Sequence, residues 1–180
     1  MENFTSNSAA APKWLIAFYL DPDAEYPNVY TLFVTEDSPL VSDDYIVFFD
    51  DPSLAAKAVE MYGDGIKDGL SQEVNLHCYV AESLYLINSE EVDPSATIIN
   101  FLNILLDLVK AARLPMPEEY ERLLGAFADY LTFDRELSTF FAQEGNMRSK
   151  VLDAILWCIG AVVSKSKLLT HADLNSRKGN

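Results

Sequence analysis

Asp43, Asp44, Asp50 and Asp51 stand at the two ends of the short apolar run Tyr45–Phe49. Paired carboxylates in such a place can chelate a divalent cation, attack a phosphoryl group or attract a basic surface. Each chemistry makes further demands on the sequence. Phosphotransfer of the haloacid-dehalogenase kind spaces two aspartates one residue apart and follows them with Gly-Thr. Here Asp50 and Asp51 are adjacent and followed by Pro52-Ser53. A polymerase palm needs a second strand directly after its aspartate pair and a remote third aspartate in a far longer chain. A receiver domain needs a lone aspartate at a later strand end, inside regular βα alternation. None of these patterns is met. Helix capping demands less and explains more. Asp51 is a favoured N-cap, Pro52 suits the first helical position, and Asp50 and Asp51 both complement the positive end of a helix dipole. Asp93-Pro94 repeats the same chemistry. Asp43 and Asp44 precede no helix, and read either as a solvated turn or as part of a partner-binding surface.

The other reactive residues are few. Residues 64–69, "DGIKDG", open like a calcium loop, yet the third position is Ile66 and the twelfth is Asn75, which cannot supply the bidentate carboxylate. His77 and Cys78 are neighbours in an alternating segment, so they point to opposite faces and cannot share a metal. His171 lies in the C-terminal segment. There is neither a glycine-rich phosphate loop nor a nucleophile elbow. No metal and no cofactor is expected, and catalysis is the less favoured reading. Cys78 and Cys158 sit in apolar surroundings, as buried free thiols of a reducing compartment do, so the cytoplasm is the expected location. The N-terminus carries Glu2 where a signal peptide is basic. The longest apolar run, Ala154–Val163, has ten residues. That is short of the roughly 18–20 of a membrane span, and no membrane association is expected.

Charge distribution says more than charge total. Residues 1–100 hold 18 acidic and 3 basic side chains and thus the whole net charge of −15; residues 101–180 hold 10 of each. Between Trp14 and Ala56 there are nine acids and no base. Phosphate backbones need a basic footprint, so nucleic acid is excluded as a direct ligand. Seven of the nine tyrosines also lie before residue 100.

The elements that must position these groups change character along the chain. Residues 1–12 are expected to be a mobile leader, 13–168 one domain and 169–180 a flexible tail. Lys13–Leu20, Val29–Thr35 and Tyr45–Phe49 are rich in aromatic and β-branched residues and predict strands. A helix is predicted from Pro52 to Tyr62, stopped by Gly63. Val74, Leu76, Cys78 and Val80 alternate with polar residues, which predicts a half-buried strand. Residues 83–88, "SLYLIN", either continue it or pair back on it. From residue 93 the period becomes helical: 93–113, with a polar stripe of Asn100, Asn103, Asp107 and Lys110; a helix from Pro117 with Tyr120, Leu124, Phe127 and Leu131 on one face; a short one at 137–142; and 147–168. Strands first and helices later predict an α+β fold. The sheet, antiparallel or mixed, should have four to five strands and one inserted helix, and pack on about four C-terminal helices. Trp14, Ile16, Phe18, Leu76, Phe101, Leu105 and Leu124 are expected in one core.

The functional expectation is a non-catalytic, inhibitor- or immunity-like binding protein whose acidic N-terminal half meets a basic protein. Aromatics would anchor and carboxylates steer. The candidate contact residues are Asp43, Asp44, Tyr45, Tyr30, Asp21, Asp23, Glu36 and Asp37. The alternative is a small-ligand binder or enzyme with a pocket between sheet and helices. A third reading is self-association through a helical face.

Overall fold

Alternating apolar side chains pair Trp14–Tyr19 (β1) with Val29–Thr35 (β2) antiparallel, Ile16 opposite Thr31 and Phe18 opposite Val29. The computed structural model describes residues 14–35, 37–62, 73–89, 95–133 and 136–176. The expectations for the leader, Glu36, the turn at 63–69 and the Asp93 cap lie outside the described residues.

One half of β2 pairs with Ser38–Pro39 (β3) and the other with Tyr45–Phe49 (β5). The chain from β3 to Val41–Ser42 (β4) wedges between them. The Leu40 N–H donates to the Leu32 carbonyl at 2.7 Å, while the Leu40 carbonyl accepts from the Val47 N–H at 2.9 Å. β4 and β5 form a hairpin, Ser42 opposite Tyr45, whose two loop residues are Asp43 (φ 53°) and Asp44 (φ 64°). Positive φ at both central positions is the type I′ geometry that matches strand twist, and aspartate tolerates it.

Leu76–Tyr79 (β6) runs parallel to β1, and Ser166–Leu169 (β7) runs parallel to β5, Ile46 opposite Ser166 and Phe49 opposite Leu169. Among the described residues the sheet is mixed and has seven strands. Because β2 opposes both β1 and β5, the strands β1, β5, β6 and β7 all point the same way. Their carboxyl ends therefore share one end of the sheet.

Both faces of the sheet are covered. On one, Ile16, Phe18, Phe33, Ile46 and Cys78 meet the helices Ser95–Ala112 (α3), Glu118–Thr132 (α4), Leu137–Phe141 (α5) and Met147–Ser164 (α6) in a single core. Phe101, Leu105 and Leu124 belong to it as expected, and Leu76 packs against it. The stripe of Asn100, Asn103, Asp107 and Lys110 lies on the more exposed side of α3. On the other face, Leu15, Ala17, Leu32, Val47 and Phe49 form a second core with Leu54 and Ala58 of the inserted helix Leu54–Tyr62 (α1) and with Leu169. The α+β architecture is as the sequence predicts, with this second layer added.

Four local expectations are corrected. Residues 83–88 are not a strand: Val80–Asn88 (α2) is a helix, with Ser83 and Ile87 buried one turn apart and the Ser83 hydroxyl donating to the Tyr79 carbonyl at 2.7 Å. The last long helix stops at Ser164, not 168. There the Ser166 hydroxyl bonds the Val162 carbonyl at 2.6 Å and the chain turns into β7. That strand crosses the expected boundary at 168, and a short helix follows at His171–Ser176 (α7). Trp14 is 39% exposed instead of buried, because β6 pairs with β1 only from Ile16 onward and leaves Trp14 beyond its cover.

Candidate functional site

The strand directions divide the sequence-predicted contact residues into two groups at opposite ends of the sheet. Asp37, Asp43, Asp44 and Tyr45 lie at the carboxyl end of β2 and the amino end of β5. Asp21 and Asp23 follow the carboxyl end of β1, and Tyr30 sits near them at the start of β2. The seven of them that are described do not form one surface. Tyr30 is removed from it altogether: only 9% exposed, it stacks on Phe49 with ring centroids 6.2 Å apart inside the core under α1. Burial, with Tyr19 and Asp51 nearby, raises its phenol pKa.

At the first end the carboxylates are already matched by the chain's own bases. Lys167 reaches Asp43 at 3.4 Å and the Ser42 hydroxyl at 3.2 Å. Arg113, itself left-handed at φ 55° where α3 ends, reaches Asp44 at 3.2 Å. The Lys165 ammonium lies 5.6 Å from the centroid of the Tyr45 ring. Asp37 accepts the Thr35 and Ser38 hydroxyls at 3.2 and 3.3 Å and so fastens its own turn. These bases come from residue 113 onward, so folding partly offsets the charge segregation of the sequence.

The second end has the same residue types in a different state. The loop from Leu20 to Asn28 is closed by Leu20 N–H donating to the Asn28 side chain at 2.7 Å and by Asp23 N–H donating to the Asp21 carboxylate at 3.0 Å. Asp21, Asp23, Glu25 and Tyr26 project from it, with Tyr26 72% exposed. Beside it, parallel register places Tyr19 next to Tyr79, and the rings stack with centroids 4.7 Å apart. The Tyr19 hydroxyl is 3.2 Å from Nδ1 of His77. Burial first, and then Tyr79, raises the Tyr19 phenol pKa, so the hydroxyl stays protonated. Among the described residues no lysine or arginine forms an ion pair with Asp21, Asp23 or Glu25, or lies over Tyr26 or Tyr79.

Asp51 stands at the same end. Its carboxylate accepts the Ser53 N–H at 2.7 Å, as an N-cap does, and His171 Nε2 lies 3.3 Å away. The described helix begins at Leu54, after one tight turn through Pro52. The hydrogen bonds from Ser53, with a smaller contribution from His171, hold the Asp51 carboxyl below its usual range. Such a group stabilises the fold above its unfolded-state pKa, and that contribution is lost as the pH falls through the lower folded value. Asp51→Ala should therefore cost about 1 kcal/mol in urea denaturation at pH 7. The gap to the parent chain should narrow as the pH is lowered from about 4. A gap of constant size would mean that the carboxylate charge is not its source. Sequence reasoning missed His171, because proximity to Asp51 depends on β7 carrying the chain back to the end of β5.

Chemically, this end offers stacked phenols, exposed carboxylates and an imidazole hydrogen-bonded to a neutral phenol. Cys78 adds no nucleophile: it is 1% exposed, on the opposite face from His77, and burial pushes its thiol up to about 12. Among the described residues no three His, Cys, Asp or Glu side chains are grouped to hold a metal ion, and no helix is long and apolar enough to cross a membrane. What the arrangement can do well is receive a cation, with guanidinium or ammonium groups over tyrosine faces and between carboxylates. Comparison with protein-family models, curated proteins and solved structures finds no match to this chain.

Proposed function

We propose that this is a non-catalytic interaction protein that engages a basic protein partner through the carboxyl end of its sheet. The surface comprises Asp21, Asp23, Glu25, Tyr26 and the Tyr19–Tyr79 stack. One contrast carries the reading. At the opposite end Lys165, Lys167 and Arg113 occupy Tyr45, Asp43 and Asp44, whereas the like set of acids and tyrosines here meets no described base. The partner's arginines and lysines would complete that pattern. Exposed carboxylates would accelerate encounter in low salt, and desolvated tyrosines would supply the lasting contacts.

The test begins with capture from a native lysate at low salt and identification of basic proteins released at high salt. The captured partner is then assayed against two neutralised variants. Asp21→Asn, Asp23→Asn and Glu25→Gln together keep the loop's hydrogen bonds and should slow association about tenfold, with little change in dissociation. Asp43→Asn with Asp44→Asn should slow it no more than about twofold, since those charges are already offset. Equal effects from both ends would show that only total charge matters. Failure to capture any basic protein would remove the proposal.

A further inference from the structure

Where the sheet meets α3 and α6, the main core is not filled. A cavity of about 270 Å³ opens there, walled by Phe18 and Phe48 of the sheet, Leu105 of α3, Val162 of α6, Cys78 and Ser166. Its remaining walls are aliphatic or aromatic, with no charged residue. The two heteroatoms in that wall offer nothing to a polar ligand. The Ser166 hydroxyl already bonds the Val162 carbonyl at 2.6 Å. The Cys78 thiol is buried and keeps its proton. Water in such a space finds few hydrogen-bond partners, and the walls gain dispersion contacts from an apolar occupant that fills it.

The mouth carries a second, independent observation. Leu20, Val163 and Leu168 border the cavity and are 52%, 68% and 51% exposed. The segments that form the rim run directly into acids: Asp21 after Leu20, Asp50 two residues past Phe48, Glu82 two past Val80, all exposed. The bases closest in sequence are drawn away. Lys165 lies over Tyr45 and Lys167 reaches Asp43, both at the other end of the sheet. A carboxylate or phosphate head would thus meet like charge at the rim, with no cation among the described residues placed to receive it. A neutral or cationic head would not.

We propose that this cavity binds a single unbranched aliphatic chain with a neutral or cationic head at the rim. Taking a methylene as similar to the ~30 Å³ share of one liquid water, the space holds about nine chain carbons. The cavity lies on the face of the sheet that α3 and α6 cover, whereas Tyr19 and Tyr79 alternate onto the α1 side. The two sites share Asp21 at the carboxyl end of β1, and neither proposal requires the other.

The test uses the full chain and three ten-carbon probes, the ionic two below their micelle concentrations and the alcohol below its solubility limit: decan-1-ol, decyltrimethylammonium chloride and sodium decanoate. The alcohol and the ammonium should raise the melting temperature saturably and give one-site calorimetric isotherms, with decanoate at least tenfold weaker. Val162→Phe fills the cavity and should weaken the first two at least tenfold. Leu168→Lys, at an exposed position, should bring decanoate to within a few-fold of the ammonium, and decides the matter if Val162→Phe does not fold. Saturable response to none of the probes, or unchanged binding to a folded Val162→Phe chain, would overturn the site. Decanoate binding as tightly as the ammonium would overturn the assigned head. A parent dimer in sedimentation that Leu168→Lys dissociates would make the mouth a contact between copies, and the proposal would fall.

Discussion

A chain ended at Lys165 should lose its native fold, although it keeps every long helix and six of the seven strands that are described. Removing β7 strips the outer edge of β5 along Ile46–Phe49 and takes Leu169, 4% exposed, from the core under α1. Burial of one leucine is worth about 1.5–3 kcal/mol. The parallel ladder adds on the order of 1 kcal/mol for each hydrogen bond whose partner is left buried. Together these approach the roughly 5–15 kcal/mol that stabilises a whole domain. A chain ended at Thr170 is the control. It retains β7, gives up the Asp51–His171 pair and the Thr170–Asp173 bonds along with α7, and should drop by no more than about 2 kcal/mol. Urea titrations followed by far-UV circular dichroism distinguish the two. Equal midpoints for the Lys165 chain and the full chain would mean that β7 contributes nothing to the sheet.

Phe127→Ala should cost about 3–5 kcal/mol. Phe127 is fully buried on α4, with Phe140 and Phe141 of α5 at ring-centroid distances of 5.0 and 5.6 Å. Truncation leaves a ring-sized void and removes two aromatic pairs at once. The wall opposite is itself pinned, because Arg148 lies 5.2 Å over Phe141, so the site has little freedom to collapse. Leu156→Ala, on the exposed side of α6 at 56%, should stay within about 0.5 kcal/mol. A loss below about 1 kcal/mol for Phe127→Ala would show that α4 and α5 are not packed as described.

Periodicity made most of this architecture legible before any coordinates. The strands at 14–19, 29–35, 45–49 and 76–79 announce themselves by β-branched and aromatic residues, and α3 by its single polar stripe. The failures share a cause. In residues 80–88, Leu84 and Leu86 fit a period of two while Val80, Leu84 and Ile87 fit a helix, so nothing local decides between them. Only the buried Ser83 hydroxyl on the Tyr79 carbonyl shows which pattern folding uses. β7 is four residues long and directly follows a helix, which leaves no room for a periodic signal. At the candidate surface, alternation told which residues share a face of the sheet but not whether that face is covered. Tyr30 alternates onto the face that α1 covers, and its burial depends on that helix. Asp43 and Asp44 lacked the Asn-Gly or Asp-Gly signature that marks a two-residue hairpin. Charge segregation was plain in the sequence. That Arg113, Lys165 and Lys167 cancel it at one end alone depends on contacts between residues many tens of positions apart.

The parallel pairing of β5 with β7 also constrains how the protein is made. Ile46 must wait for Ser166, 120 residues later in the chain, before its edge is covered. Contacts of such sequence separation raise the loop-closure entropy and slow folding relative to helical bundles of the same size. On a translating ribosome the first five strands would emerge with Val47 and Phe49 bordered by an open edge, and at about 5–20 residues per second that interval lasts several seconds or more. An exposed apolar edge invites pairing with another nascent chain. Synthesis rate and chaperone supply, more than the equilibrium stability of the finished domain, should therefore govern how much of this protein accumulates in a native state.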